Sequence, residues 1–174
     1  MTESPDDLTT IEQQLGRVPH GFQEVMRRNA EGLPAIIRVA SLVNATPFPT
    51  LFWMSEVQLS QQVYQHESKG TTRQIQDLID GSSELQARMK QDNLDHIQLR
   101  ESYYSEAIRT QIAELNLEDS FAQKGIGGNS NFSRVRCLHA YLAAHLVKHN
   151  VVGELINEVL EKQDPLRIAL DQMV

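Results

Sequence analysis

The spacing of apolar positions changes along the chain, and each change marks a different kind of element. Leu8, Ile11 and Leu15 recur at the step of one helical face. Ser4-Pro5-Asp6-Asp7 opens that helix with a capping serine, a proline and two acids, and Gly16 can end it. Three short segments rich in β-branched or aromatic residues follow, at Phe22–Arg28, 35–40 and 50–55. Asn29, Gly32 and Pro34, then Asn44, Pro47 and Pro49, punctuate them, which predicts a small antiparallel sheet.

Helical spacing returns after the third strand. Val57–Ser68 ends at Gly70, and 72–79 ends at Gly81. Ser82 and Ser83 then open one long helix to 115, with Leu85, Met89, Ile97, Tyr104, Ile108, Ile112 and Leu115 on a single stripe. That helix reads as a packing arm, able to serve as a homodimer contact. Residues 116–133 read as a loop, with helices at 134–149, 153–162 and 165–173. The fold class is α+β: a small three-stranded antiparallel sheet near the N-terminus, packed against about six helices. A chain of 174 residues fits one domain. It divides into an N-terminal helix (1–15), a sheet region (16–55), a helical arm (56–115), and a glycine loop with C-terminal helices (116–174).

Composition narrows the class. Cys137 is the only cysteine, which excludes an internal disulfide and fits a reducing compartment. The acidic, polar start has neither the basic nor the apolar region of a signal peptide, and no apolar run is long enough to span a membrane. A cytoplasmic protein without a membrane partner is the expectation. The net charge of −7 argues against nucleic-acid binding. Residues 120–153 nevertheless contain Lys124, Arg134, Arg136 and Lys148 and no acid, and 32–55 contain Arg38 and no acid. If the two stretches meet, an anion-friendly region forms on an acidic body; the plainer reading is that cores exclude carboxylates.

Two motifs carry candidate chemistry. In TPFPT, alternating prolines make a stiff elbow into the strand holding Trp53, and Thr46 and Thr50 flank it. Their hydroxyls either face a ligand or satisfy neighbouring backbone, and Trp53 reads as core. The second motif, GIGGNSNFSRVRCLHAYLAAH, spans 125–145. Its glycines let backbone amides approach a ligand, and a helix start follows with free N–H groups. With Ser133 or Asn131 as cap, Arg134 and Arg136 fall in the first turn, the wrong end for cations unless an anion binds there. Internal pairing with Glu56 or Glu154 is the alternative. The phosphate-loop pattern is absent.

Cys137, near a helix start with arginines alongside, is either a buried cysteine or a thiolate nucleophile. Its metal-binding use with histidine is disfavoured by the helical wheel. On one helix Cys137 and His139 point ~160° apart, and His139 and His145 ~120° apart. His145 and His149 alone share a face, with no third ligand identified, so no metal site and no cofactor are expected. Core histidines bonded to backbone are the plain reading of this helix.

Leu15-Gly16-Arg17-x-Pro19, Gly32-x-Pro34, TPFPTLFW, GIGG and VRCLHAYLAAHL, in this order, resemble the bacterial domain-of-unknown-function family 501 from about Gly16 to Gly153. The segment 71–120 contributes little. The resemblance implies no assigned activity. It implies that many relatives carry cysteines shortly before the Gly-x-Pro and just after the PFPT strand. Here those regions read Arg28-Asn29-Ala30-Glu31 and Met54-Ser55-Glu56, so a metal site built on those cysteines is lost. Neighbouring septum-formation and exopolyphosphatase-type genes link the family, by association, to division, envelope or phosphate metabolism.

The resulting expectation is a small phosphate- or carboxylate-bearing ligand at the glycine loop and helix start, in a hydrolase-type enzyme if the protein is one. Gly127 and Gly128 offer backbone, Arg134 and Arg136 charge, and Arg17, Arg38, Thr46 and Thr50 join from the sheet side. His139 is the expected general acid/base and Cys137 the expected nucleophile. The alternative is a non-catalytic protein docking an acidic partner segment.

Overall fold

The computed structural model describes residues 5–163; the expected cap at Ser4 and the expected helix at 165–173 lie outside them. Helix α1 (Pro5–Leu15) ends at Gly16, whose φ of 70° takes the chain out of the helix. The sheet follows as β1 (Phe22–Arg28), β2 (Pro34–Val39) and, after a small hairpin of β3 (Leu42–Val43) and β4 (Thr46–Pro47), β5 (Phe52–Met54). Its order is β1-β2-β5, antiparallel throughout. The hairpin was not expected. Asn44 and Ala45 both take positive φ to close it, and only the first is a residue that favours this conformation.

Successive residues of β2 face opposite layers. Ile37 and Val39 pack with Ile11 beneath α1, while Ile36 joins the larger core of Leu51, Phe52, Leu59, Val63, Leu138 and Leu142. That larger core is closed by α2 (Val57–Ser68), α3 (Thr71–Asp80), α4 (Ser83–Ser102), α7 (Leu138–Val147) and α8 (Val151–Gln163). The class is therefore α+β, with eight α-helices among the described residues.

Three helical boundaries differ from expectation. The long helix to 115 is broken into α4 and α5 (Glu106–Glu114), because the Ser105 side chain accepts the Ile108 N–H and starts a new helix. A continuous arm for self-association is thus not present. The stretch 116–133 contains α6 (Glu118–Ala122) and a short 3-10 turn, Ile126–Gly128. The helix expected from 134 begins only at Leu138. Side chains from elsewhere satisfy the backbone before it: Asn129 Nδ2 donates to Arg134 O at 2.6 Å, and the Val135 N–H donates to Gln76 Oε1 at 2.8 Å. Those bonds hold 134–137 outside the helix and offset what a longer helix would gain.

Helix α7 lies at the centre, packed on β5 and α8 and burying Leu138, Tyr141, Leu142, Ala143 and Ala144. Gly153 of α8 sits so close to α7 that a Cβ there would overlap the His145 side chain.

Candidate functional site

The start of α7 stands at the floor of a cleft of about 450 Å³. One wall comes from Thr50, Phe52, Trp53 and Met54 at β5, another from Ser60, Tyr64 and Glu67 of α2. Gln14 and Leu15 of α1 close the rim, and Cys137, His139 and Ala140 form the base. Ser60, Tyr64 and Glu67 reach one wall because they lie four and three apart on α2.

Cys137 occupies the cap position of α7 with φ −118° and ψ 112°, outside the helix proper. The helical wheel therefore does not govern its direction. The extended backbone turns its side chain toward His139 instead of away from it, and one ligand atom each from Glu67, Cys137 and His139 lies within 4.8 Å of the others. The geometric ground for separating Cys137 from His139 is thereby removed.

The imidazole of His139 is held on both sides. Its Nδ1 is 3.2 Å from Glu67 Oε2, and its Nε2 is 3.1 Å from the Ser60 carbonyl. Both partners accept only, so the doubly protonated ring satisfies both contacts. Burial pulls the His139 pKa down, but the Cys137 hydrogen bond, the Glu67 charge and the Ser60 carbonyl outweigh it, leaving a net rise. For Cys137 burial pushes the thiol up, and the His139 hydrogen bond with the Ala140 amide reverses this to a net fall. The other Glu67 oxygen accepts the Leu138 N–H at 2.9 Å, which caps the first turn of α7. Tyr64, itself exposed, packs against His139 with ring centroids 4.1 Å apart and the planes tilted by 55°. Cys137 is the exposed member of the group and the one open to solutes.

The other expected site residues divide. Thr50 lines this cleft, and Arg17, not itself among the lining residues, lies over the cleft-lining Trp53, 5.3 Å from the ring centroid. Trp53 is half-buried, packing against the Ile11 cluster while it lines the cleft, so it is both core and wall. Arg38 pairs with Glu24 at 2.7 Å and covers the Tyr103 ring, so internal partners take its charge. Thr46 is exposed in the β3–β4 hairpin.

Gly127 and Gly128 are not among the cleft-lining residues. A Cβ on Gly127 would lie 2.7 Å from that of Ala140, and its φ is 63°, so close packing on α7 accounts for it. The loop is tied to the core by Asn93, whose Oδ1 accepts the Ile126 N–H at 3.0 Å. Arg134 and Arg136 are exposed and precede the helix, so the expected conflict with its dipole does not arise. Arg134 approaches Asp80 at 3.7 Å, whereas Glu56 caps α2 and Glu154 bonds Arg88. His145 and His149 are neighbours with ring centroids 4.7 Å apart, but His145 Nδ1 is engaged by the Asn150 backbone. His145 and His139 each have the backbone partner foreseen for core histidines.

Sequence reasoning missed Glu67, Ser60 and Tyr64. Their common stripe on α2 was visible, but nothing in the sequence indicated that it faces α7.

The architecture is an α+β domain with a cysteine, a histidine and a carboxylate converging at a helix start in a cleft. The chain belongs to the family described as "Protein of unknown function (DUF501)", whose model matches residues 25–158. No curated protein and no solved structure matches the chain significantly. No helix among the described residues is long and apolar enough to cross a membrane.

Proposed function

We propose that the protein is a cysteine-dependent hydrolase acting on a small acyl compound with an anionic end, and that the cleft at the start of α7 is its active site. The observation that carries this reading is the convergence of Cys137, His139 and Glu67 at the base of the cleft. A nucleophile beside a base that is oriented by a third group is the arrangement acyl transfer requires.

In the first step the Cys137 thiolate attacks the substrate carbonyl carbon, and the C=O electron pair moves onto oxygen. The Leu138 N–H is taken by Glu67 and the Ala140 N–H by Cys137, so the first-turn amide of His139, a residue of the cleft lining, is the donor for that oxyanion. The tetrahedral intermediate then collapses. The leaving group departs with a proton from the His139 imidazolium, and a thioester remains on Cys137. Water attacks the thioester, giving its proton to the neutral imidazole, and the thiolate is expelled. Glu67 holds the ring and stabilises its charged form. Thr50 and the apolar wall of Phe52, Trp53 and Met54 receive the acyl chain, and Arg17 over Trp53 favours a carboxylate or phosphate at its far end.

The test is a panel of activated esters and thioesters with and without a terminal carboxylate or phosphate. Turnover and an acyl adduct at Cys137, both absent in Cys137→Ser, support the reading. Equal turnover by that variant, or no adduct and no turnover with any member, overturns it. The exposure of both Arg134 and Arg136 favours a second reading, a non-catalytic protein that docks an acidic partner segment. That reading requires charge reversal at Arg136 to break the association while Cys137→Ser leaves it intact.

A further inference from the structure

We infer that Glu67, Cys137 and His139 form a three-ligand site for a borderline-soft divalent cation, Zn²⁺ foremost, with its fourth position open to the cleft. This uses the residues of the proposed nucleophile centre but does not rest on their hydrolytic chemistry.

Three observations carry it. The first is the donor set: one thiol, one imidazole and one carboxylate, each offering an atom within 4.8 Å of the other two. Ligands around a tetrahedral zinc lie roughly 3.4–3.7 Å apart, given the usual zinc–ligand bond lengths. His139 Nδ1 and Glu67 Oε2, at 3.2 Å, already stand near that separation. The Cys137 sulfur lies within 4.8 Å of both, and Cys137 is exposed at the open side of the group.

The second observation is the set of outer partners. Metal-binding histidines commonly donate their other N–H to a carbonyl, and ligating carboxylates have their second oxygen hydrogen-bonded. Here Nε2 of His139 faces the Ser60 carbonyl, which leaves Nδ1 for the cation. Oε1 of Glu67 accepts the Leu138 N–H, which leaves Oε2. Both outer partners are backbone groups of packed helices, so the two ligands are aimed whether or not a cation is bound.

The third observation is where the group sits. Thiolate and carboxylate together balance the charge of a divalent ion, and the cleft beside them admits a fourth ligand, as in zinc sites with three protein ligands and a water. Thiolate with imidazole selects zinc over magnesium or calcium, which take oxygen donors. Zinc and alkylating reagents would then compete for the same sulfur. If Cys137 is also the nucleophile, zinc is a reversible inhibitor of the enzyme; that consequence alone rests on the proposed function.

The experiment uses the full chain, stripped with a chelator and dialysed, and titrated calorimetrically with Zn²⁺ alone. One zinc per chain is expected, with affinity falling at least a hundredfold in Cys137→Ser and in His139→Gln, while Mg²⁺ gives no heat. Circular dichroism checks the fold of each variant. Independently of any variant, Co²⁺ added to the wild-type chain should give a sulfur-to-cobalt charge-transfer band, and zinc should protect Cys137 from iodoacetamide. Absence of stoichiometric zinc, or of the charge-transfer band, overturns the inference. So does zinc binding undiminished in Cys137→Ser. A stripped chain that acylates at Cys137 yet binds no zinc sinks the metal site and leaves the hydrolase reading standing; tight zinc with no acylation does the reverse.

Discussion

Glu67 grips the start of α7 through both carboxylate oxygens, one 3.2 Å from His139 Nδ1 and the other 2.9 Å from the Leu138 N–H. One side chain from α2 thus caps a helix and, together with the Cys137 hydrogen bond, favours the charged form of the adjacent ring. The two roles separate by substitution. Glu67→Gln keeps an acceptor for Leu138 but not the negative charge, so stability should change by less than about 1 kcal/mol. Glu67→Ala removes the cap and should cost about 1–2 kcal/mol. Urea denaturation of both variants measures the difference.

The thiol of Cys137 should titrate below the ordinary cysteine range, because the His139 hydrogen bond and the Ala140 amide outweigh the opposing effect of burial. In metal-free protein the rate of iodoacetamide labelling, followed against pH, should therefore reach its plateau earlier than for a free cysteine. His139→Gln should move the curve back up. Identical curves for wild type and variant would show that the ring does not act on the sulfur.

Arg100 is fully buried and donates to the carbonyls of Pro49, Phe121 and Lys124 at 3.2, 2.5 and 2.6 Å. No single lysine can reproduce that fork. Arg100→Ala should destabilise by about 3 kcal/mol or more, since it strands buried acceptors and opens a cavity. Arg100→Lys should recover less than half of that. Denaturation midpoints at neutral pH decide the case.

His96 is buried against the edge of Phe52, and its Nε2 has no hydrogen-bond partner among the described residues. Burial first, with the charges of Arg100 and Lys148 adding to it, lowers its pKa to about 3. The unfolded chain takes up the proton near the ordinary histidine value while the folded chain does not. This contribution to stability is therefore full above pH ~6.5 and is lost as pH falls toward 3. From pH 7 to pH 5 it amounts to about 2 kcal/mol. His96→Leu should flatten the stability profile across that interval by a similar amount, as measured by denaturation at several pH values.

Arg134 is 60% exposed and 3.7 Å from Asp80, and Arg136 is exposed beside it. Glutamine at either position should alter the melting midpoint by no more than an exposed ion pair is worth, about 0.5 kcal/mol. Adding phosphate to the wild type tests the sequence-based expectation of an anion at these arginines; a rise in midpoint that Arg136→Gln removes would restore it.

Periodicity and punctuation determined the local elements, because they depend on residues within one or two turns of each other. The three strands, α1, α2 and α3 stand close to where alternating apolar residues, Gly16, Gly70 and Gly81 place them. Family membership was legible from the elbow and the CLH segment for the same reason. Boundaries failed where distant side chains compete for backbone: Gln76 and Asn129 hold 134–137 out of the helix, and Arg100 fastens the carbonyls of Pro49, Phe121 and Lys124. The site followed the same rule. Cys137 and His139 were recognised as reactive types, but the wheel drove them apart by assuming one helix through both. Whether they converge was decided by where α7 starts, and Glu67 sits seventy residues before Cys137 with no local mark of its role. A carboxylate, a ring and a thiol from two helices meet only through packing, which tertiary contacts decide and sequence spacing does not encode.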